Sequence, residues 1–213
     1  MPVNLAEVGR FAMIRQNECV DKQLVLASES PRRKRLLAQL GVTFDVRVPS
    51  VDESQQINEQ PEEYATRISS AKAHAVTGDV VLGADTCVSL NGTIFGKPSD
   101  LDHAEVILKE LSGKTHQVIT GIAVRFDDHL LSEVVKTDVE FVELDQTVID
   151  WYLSLGESLD KAGAYGLQGP GGAFVNAIRG SHSNVIGLPL VETANLLRVA
   201  GIDLMHSGRS GRR

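Results

Sequence analysis

Short apolar runs that end abruptly in polar residues, alternating with stretches of helical period, constrain the fold of this chain more than any other feature. Leu24–Ala27 is wholly apolar and too short for a helix, so it reads as a buried strand. Residues 80–84 form a second such run. Between them, residues 31–40 start on Pro31 behind Ser30 and close at Gly41, the punctuation of a helix. Residues 43–48 alternate like a strand, and 61–76 place Tyr64, Ile68, Ala71 and Ala75 at helical spacing. Asn91–Gly92 marks a hairpin, 101–111 a helix, and 115–125 with 130–142 two long strands. Residues 148–155 read as a helix, 173–178 as a strand, and 189–200 as a helix opening on Pro189 and stopping at Gly201. Hairpins together with helical crossovers require an α/β fold with a mixed sheet flanked by helices. No repeat or low-complexity linker interrupts it. The expected organisation is an N-terminal extension at 1–22, one domain at 23–204 and a flexible basic tail at 205–213. A short amphipathic helix at 5–14 is one reading of the extension and disorder is the other.

Composition narrows the function. The formal net charge of -7 repels nucleic acid, and no apolar run approaches the ~20 residues of a membrane span. Residues 1–23 lack the apolar centre of a signal peptide. Cys19 and Cys87 show neither a CxxC nor zinc-ligand spacing, which favours a reducing compartment and a cytoplasmic location. His74, His103, His116 and His182 are scattered without ligand spacing and read as structural or exposed.

Against this acidic background, Ser30-Pro31 is followed by four cations, Arg32, Arg33, Lys34 and Arg35. The helix macrodipole favours acidic residues there, so the cations are misplaced unless an anion shares the site. Free N–H groups, nearby hydroxyls and positive charge suit phosphate; a solvated basic face is the plainer alternative. Ser28 has no base placed beside it that would make it a nucleophile.

Asp85 follows the second apolar run, where α/β proteins gather ligands. If Asn91–Gly92 is a two-residue turn, Leu90 faces Thr93, and counting back pairs Thr86 with Lys97, beside Asp85. Lys72 lies four residues after Ile68, on or next to an apolar helix face, where it must snorkel or meet an anion. Ordinary salt bridges remain the alternative for both lysines. Asp52 and Glu53, after the 43–48 strand, can add oxygen ligands; Asp85 and Glu53 are the expected metal pair, for Mg²⁺ or Mn²⁺. Such groups suit phosphoryl transfer to water, and no GxxxxGK[ST] motif points to P-loop chemistry. Residues 163–172 carry five glycines around Tyr165 and Gln168, which allows close backbone approach to a ligand. Taken alone, a flexible surface loop is the plainer explanation of this stretch.

Four stretches in order resemble the Maf family of nucleotide pyrophosphatases, also called septum-formation-inhibitor-like proteins. They are LASESPRRKRLLAQLG from Leu26, RISSAKA from Arg67, GADTCVSLNGTIFGKP from Gly83, and KAGAYGLQGPGGAFVNAIRGSHSNVIGLPL from Lys161. The resemblance implies a fold like that of inosine triphosphate pyrophosphatase, two lobes with a central cleft, and often a homodimer. It also implies metal-dependent cleavage between the α and β phosphates, with dTTP, UTP and modified pyrimidine triphosphates as substrates. Asp85 would be the proton acceptor, with Lys72 and Lys97 beside it; these lysines, Ser28 and Arg33 would hold the phosphates. Arg32, Thr86 and Gln168 fall where substrate branches separate. The Gln168 amide can pair with uracil N3–H and a neighbouring carbonyl, while Arg32 would repel a cationic 7-methyl base. The rivals are the 7-methyl-GTP branch of the family and a nucleotide-binding regulator of cell division that does not cleave. Asp85 with both lysines argues against a pure binder.

Overall fold

A computed structural model describes residues 22–204. The readings of the extension and the tail lie outside the described residues. Seven strands form one mixed sheet: β1 (Leu24–Ala27), β2 (Phe44–Arg47), β3 (Val80–Leu90), β4 (Thr93–Phe95), β5 (Thr115–Phe126), β6 (His129–Phe141) and β7 (Val175–Arg179). Their order is β2-β1-β3-β5-β6-β7, with β4 added on β3. Strand β1 runs parallel to both β2 and β3, whereas β3, β5, β6 and β7 are successively antiparallel. The helices are α1 (Pro31–Ala38), α2 (Pro61–His74), α3 (Leu101–Leu111), α4 (Gln146–Ser154), α5 (His182–Ile186) and α6 (Leu190–Val199). None among the described residues is long and apolar enough to cross a membrane.

The mixed α/β class is as expected, and the differences are local. Strand β3 does not end before Asp85 but continues to Leu90, because β5 pairs with it from Val80 to Ser89. The hairpin has the expected Leu90–Thr93 register, but its ladder stops at Val88–Phe95, so Thr86 and Lys97 are not paired. Strand β7 starts at Val175 rather than 173, because Pro170–Phe174 coils into a 3₁₀ turn led by Pro170. A second 3₁₀ turn at Ala162–Ala164 and helix α5 were not expected from periodicity, being too short to show one. Gly41 and Gly201 do take the left-handed backbone, φ 71° and 88°, that stops α1 and α6.

Buried side chains fall into two main clusters on the sheet. One joins β1, α1, α6 and the first half of β3 through Leu26, Leu37, Leu82 and Leu197. The other joins α3, α4 and the second half of β3 through Val88, Leu108, Tyr152 and Phe174. Helix α2 lies across the middle of the sheet, over β3 and β5, and does so at unusually short range. A Cβ on Gly83 would stand 2.2 Å from the Ser69 carbonyl oxygen, and one on Gly121 would stand 2.2 Å from that of Ala65. Both obstacles are helix backbone, which cannot swing aside. The requirement here is absence of a side chain, not freedom of φ.

Gly83→Ala and Gly121→Ala should therefore each destabilise the protein, by about 1–3 kcal/mol, as α2 is lifted off the sheet. Urea denaturation measures this, and an unchanged midpoint in both variants would contradict the contact.

Candidate active site

On one edge of β3, β1 pairs with residues 80–83 and β4 with residues 88–90. The other edge is filled by β5. Residues 84–87 therefore have no strand neighbour on the β1–β4 side, and a cleft of about 510 Å³ opens there. Neighbouring residues of a strand point to opposite faces of the sheet, yet Asp85 and Thr86 both line this cleft because it wraps around the unpaired edge. Asp85 thus lies within β3 and not after it, and the strand whose carboxyl end borders the cleft is β1, followed by Ser28.

On the α2 face, the close packing at Gly83 brings Lys72 to Asp85. Lys72 Nζ is 2.6 Å from Asp85 Oδ1 and 2.7 Å from Glu53 Oε1. The Lys72 and Asp85 side chains are only 8% and 7% exposed. Burying such a pair is a poor way to stabilise a fold, since desolvation offsets much of the attraction. Burial acts to raise the Glu53 pKa, but hydrogen bonding to Lys72 and the charges of Lys72, Lys97 and Arg33 bring it below the usual value.

On the other face, α1 begins at Pro31 with Ser30 as N-cap, its hydroxyl accepting from Arg33 N–H at 3.4 Å. Arg33 folds back into the cleft. Its Nε donates to the Gly187 carbonyl at 2.9 Å, Nη2 to Thr86 Oγ1 at 3.0 Å and Nη1 to Ser28 Oγ at 3.4 Å. Burial pushes its pKa down, opposed by the charges of Asp85 and Glu53. Ser28 Oγ also accepts from Ser30 N–H at 3.2 Å. Thr86 is braced by Thr120, 2.9 Å away.

Ser28, Arg32, Arg33, Glu53, Lys72, Asp85, Thr86, Lys97 and Gln168 all line the one cleft. Asp52 does not; its carboxylate accepts from Ser54 N–H at 2.9 Å in a local turn. Two details depart from the sequence reading. Arg32 is clasped by Asp160, through its carboxylate at 2.8 Å and its carbonyl at 3.1 Å, so the charge expected to repel a cationic base is compensated. Gln168 is exposed, so its amide stands at an open mouth and not in a closed base pocket. The Gly163 N–H donates to the Gly96 carbonyl at 3.1 Å, tying the glycine-rich loop to the residue before Lys97. Sequence reasoning missed Asp160 and Gly187, which carry no local signal, and took Tyr64 only as part of an apolar stripe.

An α/β protein whose cleft joins a basic helix start to a buried lysine–carboxylate cluster is equipped to handle polyphosphates. Residues 23–200 match the family model described as Maf-like protein, and the chain belongs to that family. It is 53% identical over 186 residues to the dTTP/UTP pyrophosphatase of Anaeromyxobacter dehalogenans (strain 2CP-C), covering 85% of this chain and 96% of the relative. To the dTTP/UTP pyrophosphatase of Escherichia coli O157:H7 it is 50% identical over 179 residues, 82% of this chain and 91% of the relative. A solved structure of the Staphylococcus aureus Ham1 protein is similar at TM-score 0.42 and 21% identity, over 58% of this chain and 72% of the other.

Beneath the cleft, His116 is 1% exposed, with Nε2 2.9 Å from the Tyr165 hydroxyl and the Phe141 ring edge-on to it. Of the two sequence readings, structural or exposed, its burial fits the first. Burial lowers its pKa from 6.5 to about 4. The folded value lies below the unfolded one, so this contribution to stability is full above pH ~6.5 and is lost as pH falls through ~4. A shift of this size corresponds to about 3 kcal/mol. Urea denaturation from pH 7 to 4 should show His116→Gln losing less stability than the unaltered chain; parallel pH profiles would refute the assignment.

Proposed function

We propose that this chain is a nucleoside triphosphate pyrophosphatase acting in the cytoplasm on dTTP and UTP, releasing nucleoside monophosphate and pyrophosphate. The observation that carries the reading is the meeting, in one cleft, of the Lys72–Asp85–Glu53 cluster with the Ser28–Arg33 anion site. The relatives named dTTP/UTP pyrophosphatase support the substrate. The cytoplasmic location rests on cysteine usage, and a homodimeric state on the family resemblance alone.

The residues fit a divalent cation. Asp85 and Glu53 approach the same amine at 2.6 and 2.7 Å, so their oxygens share one small space. Mg²⁺ is commonly held by one or two carboxylates plus substrate phosphate oxygens. Asp85 and Glu53 would hold the ion, which when bound offsets phosphate charge.

The side chains account for the rest. Ser28, Arg33 and Lys97 supply donors and positive charge to the polyphosphate. Lys72 donates one hydrogen bond to Asp85 Oδ1, and the carboxylate, with lone pairs left on both oxygens, accepts a proton from water. As that water oxygen bonds to phosphorus, the bond joining the α phosphate to the β phosphate breaks, and pyrophosphate leaves with the electron pair. Thr86, fixed by Arg33 and Thr120, and Gln168 face the nucleoside end of the substrate. Gln168 has one acceptor and one donor group, matching the N3–H and carbonyl of uracil or thymine.

Asp85→Asn should reduce pyrophosphate release by about 10²–10⁴-fold while the chain stays folded; near-normal turnover would rule out Asp85 as the base. Across dTTP, UTP and 7-methyl-GTP at fixed metal and salt, kcat/KM should favour the pyrimidines. Gln168→Glu should narrow that preference by roughly tenfold, far below the ~10⁴ available to a sealed polar pocket. Equal or faster hydrolysis of 7-methyl-GTP by the unaltered enzyme would overturn the pyrimidine reading.

A further inference from the structure

Glu53 lies in the stretch from 48 to 60 between β2 and α2, which has no regular secondary structure. Its side chain is 45% exposed, yet its carboxylate sits 2.7 Å from the buried Lys72 amine. A half-exposed glutamate on an irregular loop samples many rotamers and backbone states, so something must hold the loop for this contact to persist.

Two side chains of α2 do so. The Tyr64 hydroxyl donates to the Glu53 carbonyl at 3.0 Å. Arg67 Nη2 donates to the Ser54 carbonyl at 3.0 Å, and Nε and Nη2 clasp the Glu59 carboxylate at 2.6 and 2.8 Å. Glu59 in turn accepts from Gln56 N–H at 2.9 Å, closing the loop on itself. The guanidinium also lies over the Tyr64 ring, 5.7 Å from its centre. Two consecutive carbonyls, those of Glu53 and Ser54, are thus bonded to the helix that carries Lys72.

We propose that Tyr64 and Arg67 are positioning residues for Glu53, fixing its backbone so that its carboxylate meets Asp85 as the second oxygen donor to the divalent cation. The proposal rests on the reading above, in which Asp85 and Glu53 hold that cation. Partners of this kind, one step removed from a metal, typically change affinity by about 10–100-fold when removed.

Mn²⁺ is the probe. Its binding to the full chain without nucleotide is measured from the electron paramagnetic resonance signal of the free ion, alongside the Mn²⁺ concentration giving half-maximal pyrophosphate release. Tyr64→Phe, which removes one hydroxyl, should weaken Mn²⁺ binding about tenfold, and Arg67→Lys by a similar factor. In both variants kcat at saturating Mn²⁺ should change far less. Glu53→Gln should weaken binding at least as much, and adding Tyr64→Phe to it should cost nothing further, because the tyrosine acts through Glu53. Unchanged Mn²⁺ affinity in Tyr64→Phe, even with a lowered Tm, would reduce the tyrosine to loop fastening and overturn the proposal. An equal loss in the Glu53→Gln background would overturn it as well. If Glu53→Gln itself binds Mn²⁺ normally, the cation reading fails, and the positioning role with it.

Discussion

The seating of α2 on the sheet governs the arrangement of the site. Gly83 and Gly121 let helix backbone rest on strands β3 and β5 where any side chain would collide with the Ser69 or Ala65 carbonyls. That distance decides whether the Lys72 amine reaches Asp85, because a lysine of fixed length spans only a limited gap. It also decides where Tyr64 and Arg67 sit, and through them the loop that carries Glu53. The strands supply Asp85, but the helix determines what Asp85 faces.

Electrostatics follow from that packing. A chain of net charge -7 gathers Arg32, Arg33, Lys72, Lys97 and Lys161 around one cleft. Each cation whose contacts are described there is already engaged: Lys72 with two carboxylates, Arg32 and Lys161 with Asp160, Arg33 with hydroxyls and a carbonyl. These contacts order long, flexible side chains before an anion arrives, which lowers the entropic cost of binding it. They also link segments far apart in the chain, since Arg32 belongs to α1 and Asp160 follows α4.

Much of the site was legible because its signals are local. Pro31 behind Ser30 marks a helix start, and four cations after it violate the macrodipole preference strongly enough to suggest an anion. The exposed edge of β3 was not legible. Asp85 and Thr86 look like the end of an apolar run, and only pairing with β5 shows the strand passing through them. The Thr86–Lys97 pairing failed for a related reason: a hairpin register can be counted from its turn, but where the ladder stops depends on what competes for the chain beyond it.

The sequence by itself determined the α/β class, most elements and the residue types at the site, since hydrophobic period, caps and turn residues act over a few neighbours along the chain. Tertiary structure alone decided which of those residues meet. The gap between β1 and β4 on one edge of β3, the Arg32–Asp160 pair across 128 residues, and the bonding of the Glu53 loop to α2 are long-range contacts. Their formation depends on how two glycine surfaces and two apolar clusters pack, and packing is a property of distances between segments that no local pattern encodes.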